Sequence, residues 1–237
     1  RTESMRRTFV ADVSHELRTP IASIAAAAET LADGDTEKDD QATLVSVIRR
    51  QAEHMRELID DLTDLSQIES GSVPLERARV DLLSLLRDVA QELEPAAREK
   101  QVTLRVSGDA GATAIGDRRR LGQVARNLLD NAIKFSPAGS PVELEARLRD
   151  GAASLTVTDR GPGIPRAERD KIFQRFYQVD RSRSKRRPGT GLGLAIVKHI
   201  VHLHGATVEV DGEVGRGSTF RVLFPAPGEG RETGIAM

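Results

Sequence analysis

The chain has 237 residues, 30% of them charged yet with a formal net charge of -1, 3% aromatic residues and no cysteine. That length accommodates one large or two modest domains, while the balanced charge gives no basic field for nucleic acid and the scarce aromatics no base-stacking platform. Disulfides and thiolate metal sites are excluded, and no apolar run reaches the ~18 residues of a membrane-spanning helix.

Apolar residues at Val10, Val13, Leu17, Ile21, Ile24, Ala28 and Leu31 recur at steps of three or four, which predicts a helix from about Glu3 to Leu31. With Val13 and Leu17 in the seam, His15 falls at an outward position and should be open to solvent. Glu16 beside it can fix the imidazole tautomer or take its proton. Thr19 lies four residues on, on the same face, and Pro20 removes one helical hydrogen bond and should bend the helix. The chain opens within this helix at Arg1, and it is expected to be a fragment of a longer protein.

The acidic run from Asp33 to Asp40 interrupts the pattern, and a second helix follows with Leu44, Ile48, Gln51, Met55, Leu58, Leu62 and Leu65 in a heptad seam. Two long helices with such narrow stripes bury little by themselves, so a homodimeric four-helix bundle is expected. Gly71-Ser72-Val73-Pro74 ends the second helix.

Beyond it the period changes. Strand-like runs at Ala78 to Leu82, Val102 to Val106, Val142 to Leu148, Ser154 to Thr158, Thr207 to Val210 and Thr219 to Leu223 alternate with helical ones. The helical runs are Leu82 to Lys100, Arg118 to Phe135, Arg166 to Phe173 and Leu192 to His204. The mixture predicts an α/β sandwich with several antiparallel pairs.

Asn127 and Asn131 leave one helix face at a spacing that lets both amides reach a phosphate-bound Mg²⁺, and Lys134 continues that face as a point charge for phosphate oxygens. Asp159 closes a strand ahead of Gly161 and Gly163, where a carboxylate can accept from an adenine amino group. Gly189-Thr190-Gly191-Leu192-Gly193-Leu194 opens a helix and offers its amides to an anion, without the Lys-Ser/Thr ending of a P-loop. The basic run Asp180 to Pro188 before it suits a mobile lid or a solvated loop.

Taken together, Val10 to Ile21, Asn127 to Pro137, Asp159 to Gly163, Phe173 to Phe176, Gly189 to Leu194 and Gly215 to Phe220 resemble the H, N, glycine and F boxes of sensor histidine kinases of two-component systems. The resemblance implies a dimerisation and histidine-phosphotransfer domain at 1–71, a linker at 72–78, a catalytic ATP-binding domain of Bergerat type with a mixed sheet at 79–226, and a disordered tail at 227–237. It implies that His15 accepts the γ-phosphoryl group of ATP and passes it to an aspartate of a response regulator. Glu16 would be the general base, and His15, Glu16 and Thr19 match the family's phosphatase pattern.

On the same resemblance, Asn131 and Asn127 would hold Mg²⁺. The nucleotide would be bound by Asn127, Asn131, Lys134, Phe135, Asp159, Gly161, Gly163, Ile164, Phe176, Arg181, Gly189, Thr190, Gly191, Leu192, Gly193, Leu194 and Thr219. Related ATPases of the chaperone and gyrase types carry Glu where Asn127 stands, so transfer to histidine is expected over hydrolysis. Phe135 stands where relatives often have Tyr, and Gln178 where many have Arg. The fragment is expected in the cytoplasm, with membrane attachment only through an upstream segment of an inner-membrane sensor. A plain ATP hydrolase and a non-catalytic dimeric scaffold are the alternatives.

Overall fold

The computed structural model describes residues 2–33, 38–70, 74–179 and 189–226. Compact packing divides the chain into two units, one of Arg1–Asp64 with Pro188–Thr190 and the other of Leu65–Arg187 with Gly191–Met237.

In the first unit, helix α1 spans Thr2–Ala32 and continues through Pro20, which is buried. Helix α2 spans Lys38–Glu69 and opens with Asp39 and Asp40, whose charge suits the positive end of the helix dipole. Along α2 the seam behaves as its spacing predicts: Leu58 is buried and Leu44, Ile48, Gln51, Met55 and Leu62 are half-buried. Ala27 is the buried counterpart on α1, whereas Ile21, Val45 and Ile59 remain about half exposed. Among the described residues, no helix is long and apolar enough to cross a membrane.

The second unit takes the last residues of α2 from Leu65 and continues with strand β1, Ala78–Asp81, and helix α3, Leu82–Glu99. The order continues with β2 (Thr103–Gly108), β3 (Thr113–Gly116), α4 (Arg118–Phe135), β4 (Pro141–Arg149), β5 (Ala152–Thr158), α5 (Gly193–Leu203), β6 (Thr207–Glu213) and β7 (Gly217–Leu223). A five-stranded mixed sheet has the order β2-β4-β5-β7-β6, with β2 parallel to β4 and every other pair antiparallel. A separate two-stranded sheet pairs β1 with β3. The three helices of this unit cover one face of the large sheet, and that face is built from alternate residues such as Val142, Leu144 and Ala146.

Two aspartates start the first two of those helices. Asp81 accepts from Ser84 N at 2.9 Å and Asp117 from Arg120 N at 3.1 Å, each satisfying an amide that the helix leaves unpaired. Leu121, Val124, Leu128 and Ala132 of α4 are buried at steps of three and four, which turns Asn127, Asn131 and Lys134 away from the core.

Two expectations fail here. Arg166 to Phe173 is no helix: a single 3₁₀ turn covers Arg166–Glu168, and Lys171 N and Gln174 N then bond three residues back. Ile172 and Phe176 are what this segment buries, and two apolar anchors in a chain of turns do not make a helical stripe. Strand β3 was not anticipated, because four residues after Gly108 and Gly111 carry too little periodicity to be read. Arg181 and the tail 227–237 lie outside the described residues.

Candidate functional site

On α1, His15 and Thr19 are exposed, and Glu16 is half-buried beside the histidine. The imidazole therefore stands on an open helix face with a carboxylate next in sequence, as an accessible nucleophile requires. These three belong to the first unit. Thr190 clusters with that unit too, and its hydroxyl donates to Asp61 Oδ2 at 2.6 Å. His54 of α2 is half-buried.

The other unit gathers most of the remaining residues around α4. Asn127 Nδ2 donates to the Gly193 carbonyl at 3.2 Å, tying the middle of α4 to the first residue of α5. With its amide nitrogen so committed, Asn127 presents Oδ1 as the atom able to ligate a cation, and the half-buried Asn131 is one helical turn further on. Lys134 Nζ pairs with Asp130 Oδ2 at 2.6 Å. Phe135 ends the helix 55% exposed, a large apolar ring left at the surface.

Asp159 is 6% exposed at the end of β5, and two backbone donors converge on one of its oxygens: Gly161 N at 2.7 Å and Ser218 N at 3.2 Å, both to Oδ1. Its Oδ2 is left as the acceptor. Burial pushes the carboxyl pKa up, while the Gly161 and Ser218 amides and Arg160 pull it down. Thr219 follows Ser218, and its hydroxyl lies 3.2 Å from that of Thr158.

The glycines around Asp159 serve a purpose that spacing alone did not reveal. A Cβ on Gly163 would overlap the Glu213 carbonyl, and one on Gly217 would overlap the Asp159 carbonyl. The loop after β5 and the turn between β6 and β7 are thus pressed backbone to backbone, and Gly215 N donates to Pro162 O at 2.8 Å. Ser218, which the sequence reading left without a role, is the second donor to Asp159 because of this register; its place inside Gly215 to Phe220 was the available signal.

Phe176 is buried with φ +59°, and its amide donates to Gly191 O at 2.9 Å. Leu192 is buried, while Gly189, Gly191, Gly193, Leu194 and Ile164 are half-buried. Helix α5 starts at Gly193, with Leu192 as an N-cap that makes no side-chain bond.

Residues 5–71 match the family model described as His Kinase A (phospho-acceptor) domain, and residues 116–228 the one described as Histidine kinase-, DNA gyrase B-, and HSP90-like ATPase. The mycobacterial sensor histidine kinase MprB is 35% identical to this chain, which covers 97% of that structure with 63% of its own length at a TM-score of 0.54. The chain belongs to the sensor histidine kinases.

The sensor-like histidine kinase SenX3 of Mycolicibacterium smegmatis is 34% identical over 95% of this chain. This histidine kinase chain spans 59% of the length of that relative. The crystal structure of full-length ShkA in complex with AMPPNP shares 32% identity and a TM-score of 0.67 over 92% of this chain and 46% of that one.

Proposed function

We propose that this chain is the transmitter core of its kinase: it phosphorylates His15 from Mg-ATP and passes the phosphoryl group to an aspartate of a response-regulator receiver domain. Residues 1–71 carry dimerisation and phosphotransfer, 72–78 link, and 79–226 bind ATP. The observation that carries the reading is Asn127, oriented by Gly193 and bearing an amide where a hydrolytic ATPase of this fold would need a carboxylate to activate water.

In the proposed step a ring nitrogen of His15 attacks the γ-phosphorus, the bond to the ADP oxygen breaks, and the imidazole proton passes to Glu16. Asn131 and Asn127 would hold Mg²⁺, which supplies charge neutralisation at the phosphates. Asp159 Oδ2 reads the adenine amino group, with Gly161, Gly163, Ile164 and Thr219 around it. Lys134 exchanges Asp130 for phosphate oxygens, and Phe135, Phe176, Arg181 and Gly189 to Leu194 complete the nucleotide site. Positioning and charge supply most of the rate enhancement.

The half-exposed Ile21, Val45 and Ile59 leave apolar surface on the helical hairpin, which a second copy covers in a four-helix bundle. His15, Glu16 and Thr19 also serve to dephosphorylate the regulator. ATP and a receiver domain place this work in the cytoplasm, with any membrane anchor carried by another segment of an inner-membrane sensor.

Incubation with γ-labelled ATP tests the reading. Acid-labile, base-stable label on the protein is expected, and it should vanish in His15→Gln while ATP binding persists. Label retained in that variant overturns His15 as acceptor, and free phosphate without protein label makes the chain a hydrolase.

A further inference from the structure

The segment after the Asp159 loop carries an arginine that no glycine or F box includes. Arg169 lies one residue past the 3₁₀ turn Arg166–Glu168 and reaches across to the end of β6. There Nη2 donates to the Gly212 carbonyl and Nη1 lies 2.9 Å from Asp211 Oδ1. The arginine side chain is 25% exposed, and its Nε is buried without a hydrogen-bond partner. Burying that N–H opposes folding, so the two terminal contacts must offset a desolvation penalty that a surface arginine would not meet.

Position explains what those contacts accomplish. Gly212 is followed by the turn that packs on the Asp159 loop: Glu213 O abuts Gly163, Gly215 N bonds Pro162 O, and Ser218 N reaches Asp159 Oδ1. The loop and turn already touch on this side. Arg169 ties the chain beyond the loop to the strand before the turn, closing a ring of contacts around Asp159.

We propose that Arg169 is a positioning residue for nucleotide recognition, a clamp through the Gly212 carbonyl that holds the β6–β7 turn against the Asp159 loop. The inference rests on the nucleotide-site reading above. Of the two contacts, the carbonyl is the effective one. Asp211 is 85% exposed, and an ion pair so open to water contributes little, whereas a partly buried charged hydrogen bond is about twice as strong as a neutral one. Loosening the clamp makes binding order a loop that the intact protein presents already formed, so affinity falls while the transfer step does not.

The test is a comparison of Arg169→Ala, Arg169→Lys and Asp211→Asn in the full chain, reading the dissociation constant of a fluorescent ATP analogue with Mg²⁺ and the autophosphorylation rate at saturating ATP. Expected are affinity about five- to tenfold weaker for R169A, about two- to threefold weaker for R169K, and within about twofold of wild type for D211N, with saturating rates unchanged. Wild-type affinity in R169A overturns the proposal, as does a lowered saturating rate at unchanged affinity. Should R169A fail to fold, R169K decides alone, and wild-type affinity there overturns the clamp. A wild-type protein that binds no adenine nucleotide removes the nucleotide-site reading and this inference with it.

Discussion

Phe176 donates its backbone N–H to the carbonyl of Gly191 at 2.9 Å, joining the two ends of the 177–190 segment. Both residues are in the left-handed region, at φ +59° and +70°. A Cβ on Gly191 would lie 2.8 Å from Phe176 Cα, so even the smallest side chain forces the ends apart. Gly191→Ala is expected to cost about 1–3 kcal/mol through backbone strain and to weaken ATP binding. Titration with a nucleotide and a melting curve check this; unchanged affinity refutes it.

Asp159→Asn should fold and lose the adenine contact. An amide has one oxygen, which stays with Gly161 N and Ser218 N, and the remaining NH₂ then opposes the adenine amino group. Loss of a charged hydrogen bond predicts about tenfold or greater weakening for ATP and a smaller preference over GTP. Competition binding of the two nucleotides reads this directly.

The Asp159 pKa also sets a pH dependence. Burial raises it in the folded protein, so above that value the ionised carboxylate opposes folding, and protonation on acidification relieves the opposition. Nucleotide affinity should run the other way, weakening on acidification before an ordinary carboxylate would titrate, since the protonated group is a poorer acceptor. Binding measured across an acid series should show the loss in wild type and not in Asp159→Asn.

His204 gives the opposite stability sign. Its Nε2 accepts from Asp117 N at 3.0 Å, so Nδ1 carries the proton toward Ile200 O at 2.7 Å and the ring must be neutral. Burial lowers its pKa, with Arg77 adding to the effect, while the Ile200 carbonyl and Asp117 oppose it. Stability from this group is complete above the ordinary histidine range and is lost as pH falls through that range, where the unfolded chain takes the proton first. His204→Ala orphans the Asp117 amide and should cost about 1–3 kcal/mol, measured by denaturant unfolding at neutral pH, with a flatter acid limb.

Thr19→Ala separates two activities proposed for the same face. Labelling of His15 by ATP should persist within about twofold, while dephosphorylation of the cognate receiver domain slows by about tenfold or more, as expected if the Thr19 hydroxyl orients the attacking water. Wild-type dephosphorylation in the variant sinks the phosphatase proposal.

Much of this kinase was readable because its signals are local. Steps of three and four placed α1 and α2, and an outward place beside their seam residues predicted the exposed His15, since helix geometry alone decides which face a residue takes. The four-residue spacing of Asn127 and Asn131 likewise required only the helix. What spacing misread was the turn-built segment after Pro165, where apolar residues are anchors and not a stripe.

The chain by itself determined its long helices, the order of its boxes and the chemistry of each side chain, for these follow from neighbours in sequence. Only the tertiary structure decided that Asn127 is oriented by Gly193, that Asp159 is held by Ser218, that His204 keeps its neutral tautomer for Asp117, and that Gly163 and Gly217 are small for the sake of backbone contact. Each partner lies on a different strand, turn or helix, and a hydrogen bond or a steric overlap exists only when packing has brought those elements within a few ångströms of each other.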